Sequence, residues 1–286
     1  MTTLEQGIHD GVPMEVYIGD PCPAPSLSTG VVQTLVERTP MHAWHEHPRL
    51  GGNPSEATAR GDIGSAVHAL VLGGAEVEYG ASEWADWRKK DAQVWRDEAR
   101  EAGRLPLLHR QRDQVEAAAE AARAVLATFG PGRAEQTMLW QMDGVWARAR
   151  ADWLVTEAMY DIDIKTTDSA EPASWIRRVL LPGGLDIQAA LRVTGHEAIT
   201  GRTRDVLFLL VELEPPHATC VVGVSPKLLE FARRKIAMAT RLWRRCLAEK
   251  RWPGYGDQVR WAEPTAWAEW DFEAREISVA SAEAAE

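Results

Sequence analysis

The sequence predicts an α/β protein, a mixed central sheet flanked by helices, with a helical elaboration in its N-terminal part. Three observations predict it. Apolar residues fall mostly at helical spacing up to the breaker Gly130-Pro131-Gly132. Immediately after it, three segments alternate apolar and polar residues and are joined by short turns. Helical segments then return around a second pair of alternating runs. At 286 residues the chain has room for two average domains or one large α/β domain. The element order favours one domain over 1–256, with helices at 26–130, a sheet core at 133–225 and a helix at 226–250; an acidic, partly disordered tail follows at 257–286.

In PSLSTGVVQTLVERTP, Ser28 is placed to cap a helix that runs through Leu35 and Val36 and stops at Pro40. DIGSAVHALVLGG reads as a buried helix closed by Gly73 and Gly74. Residues 82–128 read as helical almost throughout, first tryptophan-rich and then alanine-rich. AEQTMLWQ, GVWARARADWLV and YDIDIKTT are the three strands, with MDG as a hairpin turn between the first two. A helix in ASWIRRVLL, a loop at PGG and a helix over DIQAALRVTGHEAI follow. RDVLFLLVEL and HATCVVGVS form a hairpin around EPPH, and Pro226 suits the first turn of a final helix.

Composition narrows the class. Hydrophobic residues make up 45% and charged residues 26%, as in ordinary soluble proteins. The N-terminal MTTLEQGIHDG has no basic region leading into an apolar run, and the longest apolar run, VLFLLV, is far too short for a bilayer, so a cytoplasmic protein is expected. Cys22, Cys220 and Cys246 are scattered and read as buried apolar residues, not as a disulfide or cluster framework. The formal charge of −10 argues against indiscriminate nucleic-acid binding, but it is unevenly spread. Lys227 to Arg251 carries nine bases against Glu230 and Glu249, whereas the tail is acidic. Charge alone does not separate a phosphate-binding helix from a solvated one.

Strand alternation puts Arg148, Arg150 and Asp152 on one face, and Asp161, Asp163 and Lys165 on one face of the next strand. If those faces coincide, Asp152 and Asp163 meet across the ladder. Their repulsion is relieved most directly by a divalent cation such as Mg²⁺, a hard ion that takes oxygen ligands and keeps several waters. Lys165 could then steer a water or stabilise charge on a phosphate, and Glu135 offers a further carboxylate. A solvent-facing hairpin with Arg–Asp and Lys–Asp pairs is the plainer reading, and spacing alone favours it. The histidines of HAWHEHP (His42, His45, His47) lack further ligands at zinc spacing, and Trp84, Trp87 and Trp95 suit a buried helix face better than base stacking.

Asp152 followed by Asp163-Ile164-Lys165 resembles the D…(D/E)-x-K signature of the PD-(D/E)XK nuclease superfamily. The ordered series YIGDPCPAPSLSTGVVQTLVERTPMHAW, GDIGSAVHALVLGG, AEQTMLW, RARADWL, DIDIKTT and DIQAALR is similar to the RecE-type exonucleases (exonuclease VIII) of phages and prophages, over roughly Gln6 to Gly254. The resemblance implies a PD-(D/E)XK nuclease-like fold and a site in which His68, Asp152, Asp163 and the Ile164 carbonyl bind metal. Lys165 would activate or orient water, Glu135 would support the site, and Gln188 would hold DNA or brace the site. One departure stands out: the family pattern Q-x-x-x-Y has Arg192 in place of Tyr, which suggests a phosphate contact. Asp161 falls outside the motif and is expected to pair with Arg148 or Arg150.

The implied activity is a Mg²⁺-dependent exodeoxyribonuclease, with Mn²⁺ as the alternative ion, degrading linear double-stranded DNA from its ends, 5′ to 3′, in phage-type recombination within a bacterial host cell. A ring-shaped homo-oligomer, taken as a tetramer, and a single-strand annealing protein are the implied partners. A catalytically inactive DNA-binding or assembly protein and a related metal-dependent endonuclease are the alternatives.

Overall fold

The computed structural model describes residues 3–52 and 59–283. It divides into two compact units, Met1–Gly254 and Tyr255–Glu286. In chain order the first carries β1 (Gly7–His9), α1 (Met14–Ile18), α2 (Thr29–Glu37), α3 (Pro40–Glu46), α4 (Ala59–Leu72), β2 (Val77–Tyr79), α5 (Lys90–Glu101), β3 (Leu105–Leu107), α6 (Arg112–Ala127), β4 (Gly132–Met142), β5 (Val145–Val155), β6 (Tyr160–Thr167), α7 (Pro172–Trp175), α8 (Leu185–Thr200), β7 (Asp205–Glu212), β8 (Thr219–Gly223) and α9 (Pro226–Glu249). The second carries α10 (Ala266–Glu283).

Six strands form one sheet in the order β1-β4-β5-β6-β7-β8. Its pairs are antiparallel except β6 with β7, which is parallel. A parallel pair needs a crossover, and the segment containing α7 and α8 supplies it. The β4–β5 hairpin turns at Asp143-Gly144, with φ of 48° and 77°, the doubly positive geometry that a tight hairpin favours.

Among the described residues, the buried residues of the sheet fall into three cores, one of which joins Phe208 and Leu210 of β7 to Trp175 of α7 and Val193 of α8. Trp140, Ala147 and Leu154 pack with Ala190 and Leu191 of α8 and Ile236 and Trp243 of α9. Ile162, Ile164 and Leu209 pack with Val67 of α4 and Val115 and Ala119 of α6. Gly195 lets α8 approach the sheet closely, because a Cβ there would stand 2.7 Å from the Trp140 ring. Fully burying an aromatic such as Trp140 or Trp243 removes 150–250 Å² from water, about 4–6 kcal/mol for each. The Ser28 side-chain oxygen accepts the Val31 N–H and caps α2 as the sequence predicts, and that of Ser225 accepts the Leu228 N–H and caps α9 ahead of Pro226.

Several local expectations are corrected. Residues 82–128 are not one helical stretch: turns precede α5, and β3 pairs with β2 before α6 begins. Trp84 and Trp87 lie ahead of α5 and form a half-buried ring cluster with Trp95, at centroid separations of 5.6 and 6.1 Å. Pro40 does not simply end a helix but opens α3, since its missing N–H costs nothing in a first turn. The ASWIRRVLL helix widens after α7 into a π-helical turn over Ile176–Leu180. Cys220 is only half-buried. The acidic tail contains α10, a helix that its composition did not suggest; residues 284–286 lie outside the described residues. Among the described residues no helix is long and apolar enough to cross a membrane.

Candidate active site

β5 and β6 pair through Trp153–Ile162 and Leu154–Asp161, so one further step of the same register sets Asp152 across from Asp163. On the other side of β5 the β4 register runs from Ala134–Trp153 to Gln136–Ala151 and skips Glu135, which would face Asp152. Glu135 has φ of +50°, a left-handed conformation that costs a non-glycine residue about 1–2 kcal/mol. That strain re-aims its carboxylate, and Oε2 meets Arg150 Nη2 at 2.5 Å. Three neighbouring strands therefore bring acids toward one place.

Each carboxylate oxygen of the central pair has a protein partner. Asp152 Oδ2 accepts the Ile164 N–H at 2.9 Å, and its Oδ1 lies 3.2 Å from Arg192 Nη2. Asp163 Oδ1 accepts from Gln188 Nε2 at 3.1 Å and also contacts Arg192 Nη2. Its Oδ2 lies 2.6 Å from Lys165 Nζ but has no well-oriented hydrogen bond. Burial pushes the Asp163 carboxyl up, yet Arg192 and Lys165 together outweigh it and hold the group below its usual 3.8.

A cavity of about 780 Å³ lies beside this group, with His68, Glu135, Arg150, Ile164 and Lys165 in its wall; the two aspartates themselves do not line it. His68 reaches it from α4, and its Nε2 is 2.7 Å from the Ile164 carbonyl oxygen. A carbonyl only accepts, so Nε2 donates; in the neutral ring this leaves the Nδ1 lone pair facing Asp152 Oδ2 at 3.6 Å. Ile164 divides its roles as the motif requires, with the side chain fully buried in the α4–α6 core and the carbonyl turned to His68.

Arg192 and Asp161 depart from expectation. Arg192 does not present its guanidinium to a phosphate. It is 2% exposed and lies among Asp152, Asp163 and Asp161, the last at 3.3 Å from Nη1. Asp161 accordingly pairs with Arg192, because Arg148 is taken by Asp20 at 3.2 Å and Arg150 by Glu135. Burial raises the Asp161 carboxyl to about 6 even beside Arg192. The three aspartates overcome the burial penalty on Arg192 and push its guanidinium well above the ordinary arginine value. Gln188 and Arg192, four residues apart, share one face of α8, a spacing visible in the sequence. The resemblance placed Gln188 at the site; what the sequence did not reveal is that Arg192 is buried against both carboxylates. Also unforeseen is Arg204, whose Nη1 donates to the carbonyls of Val155, Ala158 and Tyr160 at 2.8, 3.1 and 2.9 Å and fixes the β5–β6 turn.

Among the described residues no three His, Cys, Asp or Glu side chains stand together as a ready-made metal cluster. His42 of α3 and His47, which follows it, are engaged within the fold: His42 Nδ1 meets Thr39 Oγ1 at 2.7 Å, and buried His47 meets the Ser26 carbonyl at 3.1 Å. The donor set around Asp152 and Asp163 nevertheless fits a hard divalent ion. It offers two carboxylates and a backbone carbonyl, the Asp163 Oδ2 atom lacks an oriented hydrogen bond, and Mg²⁺ keeps waters in its remaining positions.

Comparison with known proteins agrees with this architecture. A crystal structure called "Putative exonuclease" from Eubacterium rectale superimposes with a TM-score of 0.59 at 13% identity, covering 86% of this chain and 92% of that one. At that identity the likeness is one of fold. A phage related exonuclease from Haemophilus somnus 129PT (TM-score 0.36, 12% identity, 79% and 96% covered) and an alkaline exonuclease from Laribacter hongkongensis (0.31, 16%, 65% and 90%) align too loosely to carry an argument. No curated protein sequence matches. The family described as "PDDEXK-like domain of unknown function (DUF3799)" matches residues 38–263, most of the chain and both motif aspartates, and the chain belongs to that family.

Proposed function

We propose that the protein is a Mg²⁺-dependent exodeoxyribonuclease of the RecE type, hydrolysing linear double-stranded DNA from its ends, with 5′-to-3′ polarity and a role in phage-type recombination. The observation that carries this reading is the meeting of Asp152 and Asp163 across β5–β6, with Lys165 Nζ 2.6 Å from Asp163 Oδ2 in the wall of a cavity. The volume of about 780 Å³ falls within the ~300–1,000 Å³ of small-ligand pockets, which suits a strand end better than a length of duplex.

Asp152, Asp163 and the Ile164 carbonyl would hold the ion, and His68, a ligand by resemblance, here donates Nε2–H to that carbonyl and orients it; Mn²⁺ would suit the same atoms. A bound Mg²⁺ supplies Lewis-acid charge for the scissile phosphate and lowers the pKa of a water. The chain's own groups do the rest. Lys165 places a positive charge beside the phosphate where negative charge develops. Gln188 braces Asp163 instead of reaching for DNA, and Glu135, engaged by Arg150, holds the cavity wall. A ring-shaped homo-oligomer, tetrameric by resemblance, and a single-strand annealing partner belong to the same proposal.

The test is Asp163→Ala with linear duplex DNA in Mg²⁺. Loss of nucleotide release is expected, and a parental rate would sink the assignment. A second reading, a binding or assembly protein that keeps the fold without catalysis, draws on the burial of Arg192 among the carboxylates. It predicts that linear DNA is held in Mg²⁺ without being shortened. Cleavage of closed circular DNA would instead indicate a related metal-dependent endonuclease.

A further inference from the structure

We propose that Arg192 is the resident cation of this site, that it competes with a divalent ion for Asp152 and Asp163, and that Asp161 is present to anchor it. The inference rests on the reading of Asp152 and Asp163 as metal ligands and adds a residue that sets how tightly they bind.

All four oxygens of the two aspartates already face a protein cation or N–H donor, and Arg192 Nη2 alone touches one oxygen of each. A guanidinium in that position repels a second cation and occupies lone pairs that the ion would use. Arg192 is almost fully buried, and an isolated buried charge is not tolerated, so it needs a carboxylate that does not leave when metal arrives. Asp161 meets that need. It is 2% exposed and contacts Arg192 through Nη1 at 3.3 Å, whereas Nη2 is the atom that touches Asp152 and Asp163. The Asp161–Arg192 pair is thus a neutral module laid beside the ligands. Gln188, one turn earlier on α8, holds Asp163 without bringing charge, so bracing and charge competition are separable.

The separating variant is Asp161→Asn/Arg192→Gln, which removes one acid and one base together, so that the net charge of the cluster is unchanged and Asp163 keeps Lys165. Mn²⁺ binding by calorimetry, with a fluorescence melt with and without Mg²⁺, gives readouts independent of activity. The double variant should bind Mn²⁺ about tenfold tighter or more, and Mg²⁺ should raise its Tm further than it raises the parent's. Binding equal to or weaker than the parent's overturns the inference, and if Asp163→Asn still abolishes that binding, the metal reading stands. If neither the parent nor the double variant binds Mn²⁺, the metal reading falls and this inference with it. Should the double variant not fold, Arg192→Lys keeps the charge but loses the fork that touches both carboxylates. It too should bind Mn²⁺ more tightly, and parental or weaker affinity there counts against the proposal.

Discussion

Replacing Lys165 by methionine removes one charge and keeps most of the stem, and stability and activity should answer differently. On the stability side, Asp163 Oδ1 keeps Gln188 and Arg192 when Nζ is lost, but the buried Oδ2 loses its partner. The Lys165 side chain is 27% exposed while Asp163 is fully buried, so the loss should cost about 1–3 kcal/mol. For a chain of this size that is a fall in Tm of about 2–10 °C. On the activity side, a donor aimed at charge that develops in the transition state is worth about 10²–10³ in kcat. Acid-soluble nucleotide release from linear duplex DNA in Mg²⁺ should therefore drop by about that factor, with little change in KM. A rate within threefold of the parent would refute the role given to Lys165. A lost rate accompanied by a collapse in Tm would show instead that the lysine is structural.

Other expectations follow from the same contacts. A chelator should abolish DNA degradation and added Mg²⁺ restore it, while His68→Ala should weaken metal affinity about 10–100-fold, read by Mn²⁺ titration. Gly195→Ala sets a Cβ 2.7 Å from the buried Trp140 ring; the overpacking cost of ~1–3 kcal/mol outweighs the ~1 kcal/mol gained in helix propensity. Urea unfolding should show a net loss of up to about 2 kcal/mol, and a gain would contradict the packing of α8 on the sheet. Asp20 is buried, which opposes its ionisation, but His47, Arg148 and Ser26 outweigh burial and hold its carboxyl at about 2 against a usual 3.8. Its folded-state value is depressed, so about 2 kcal/mol of stability is present above pH 4 and lost as pH falls toward 2. Asp20→Asn should flatten that part of the pH–stability curve, and an unchanged acid limb would discount the Asp20 cluster.

The sequence by itself determined the parts that depend on local periodicity and turn chemistry. The change of period at Gly130-Pro131-Gly132, the Asp143-Gly144 turn and Pro226 fix the succession of β4, β5, β6 and α9, and Ser28 fixes the start of α2. Alternation also places Asp152 against Asp163, because a short hairpin leaves little freedom of register. Turns and the short β3 were missed between 82 and 111, since tryptophan- and alanine-rich segments look helical whatever they pack against. The identity of ion-pair partners was beyond the strand pattern. Asp161, Arg148 and Arg150 lie on neighbouring strands with compatible charges, yet Asp20 and Glu135 claim the two arginines from elsewhere, and α8 delivers Arg192 to Asp161. Periodicity tells which face a side chain occupies, but charges act through space. Only the tertiary packing decides which opposite charge arrives first, and here it set a buried arginine between the two aspartates that the sequence had singled out.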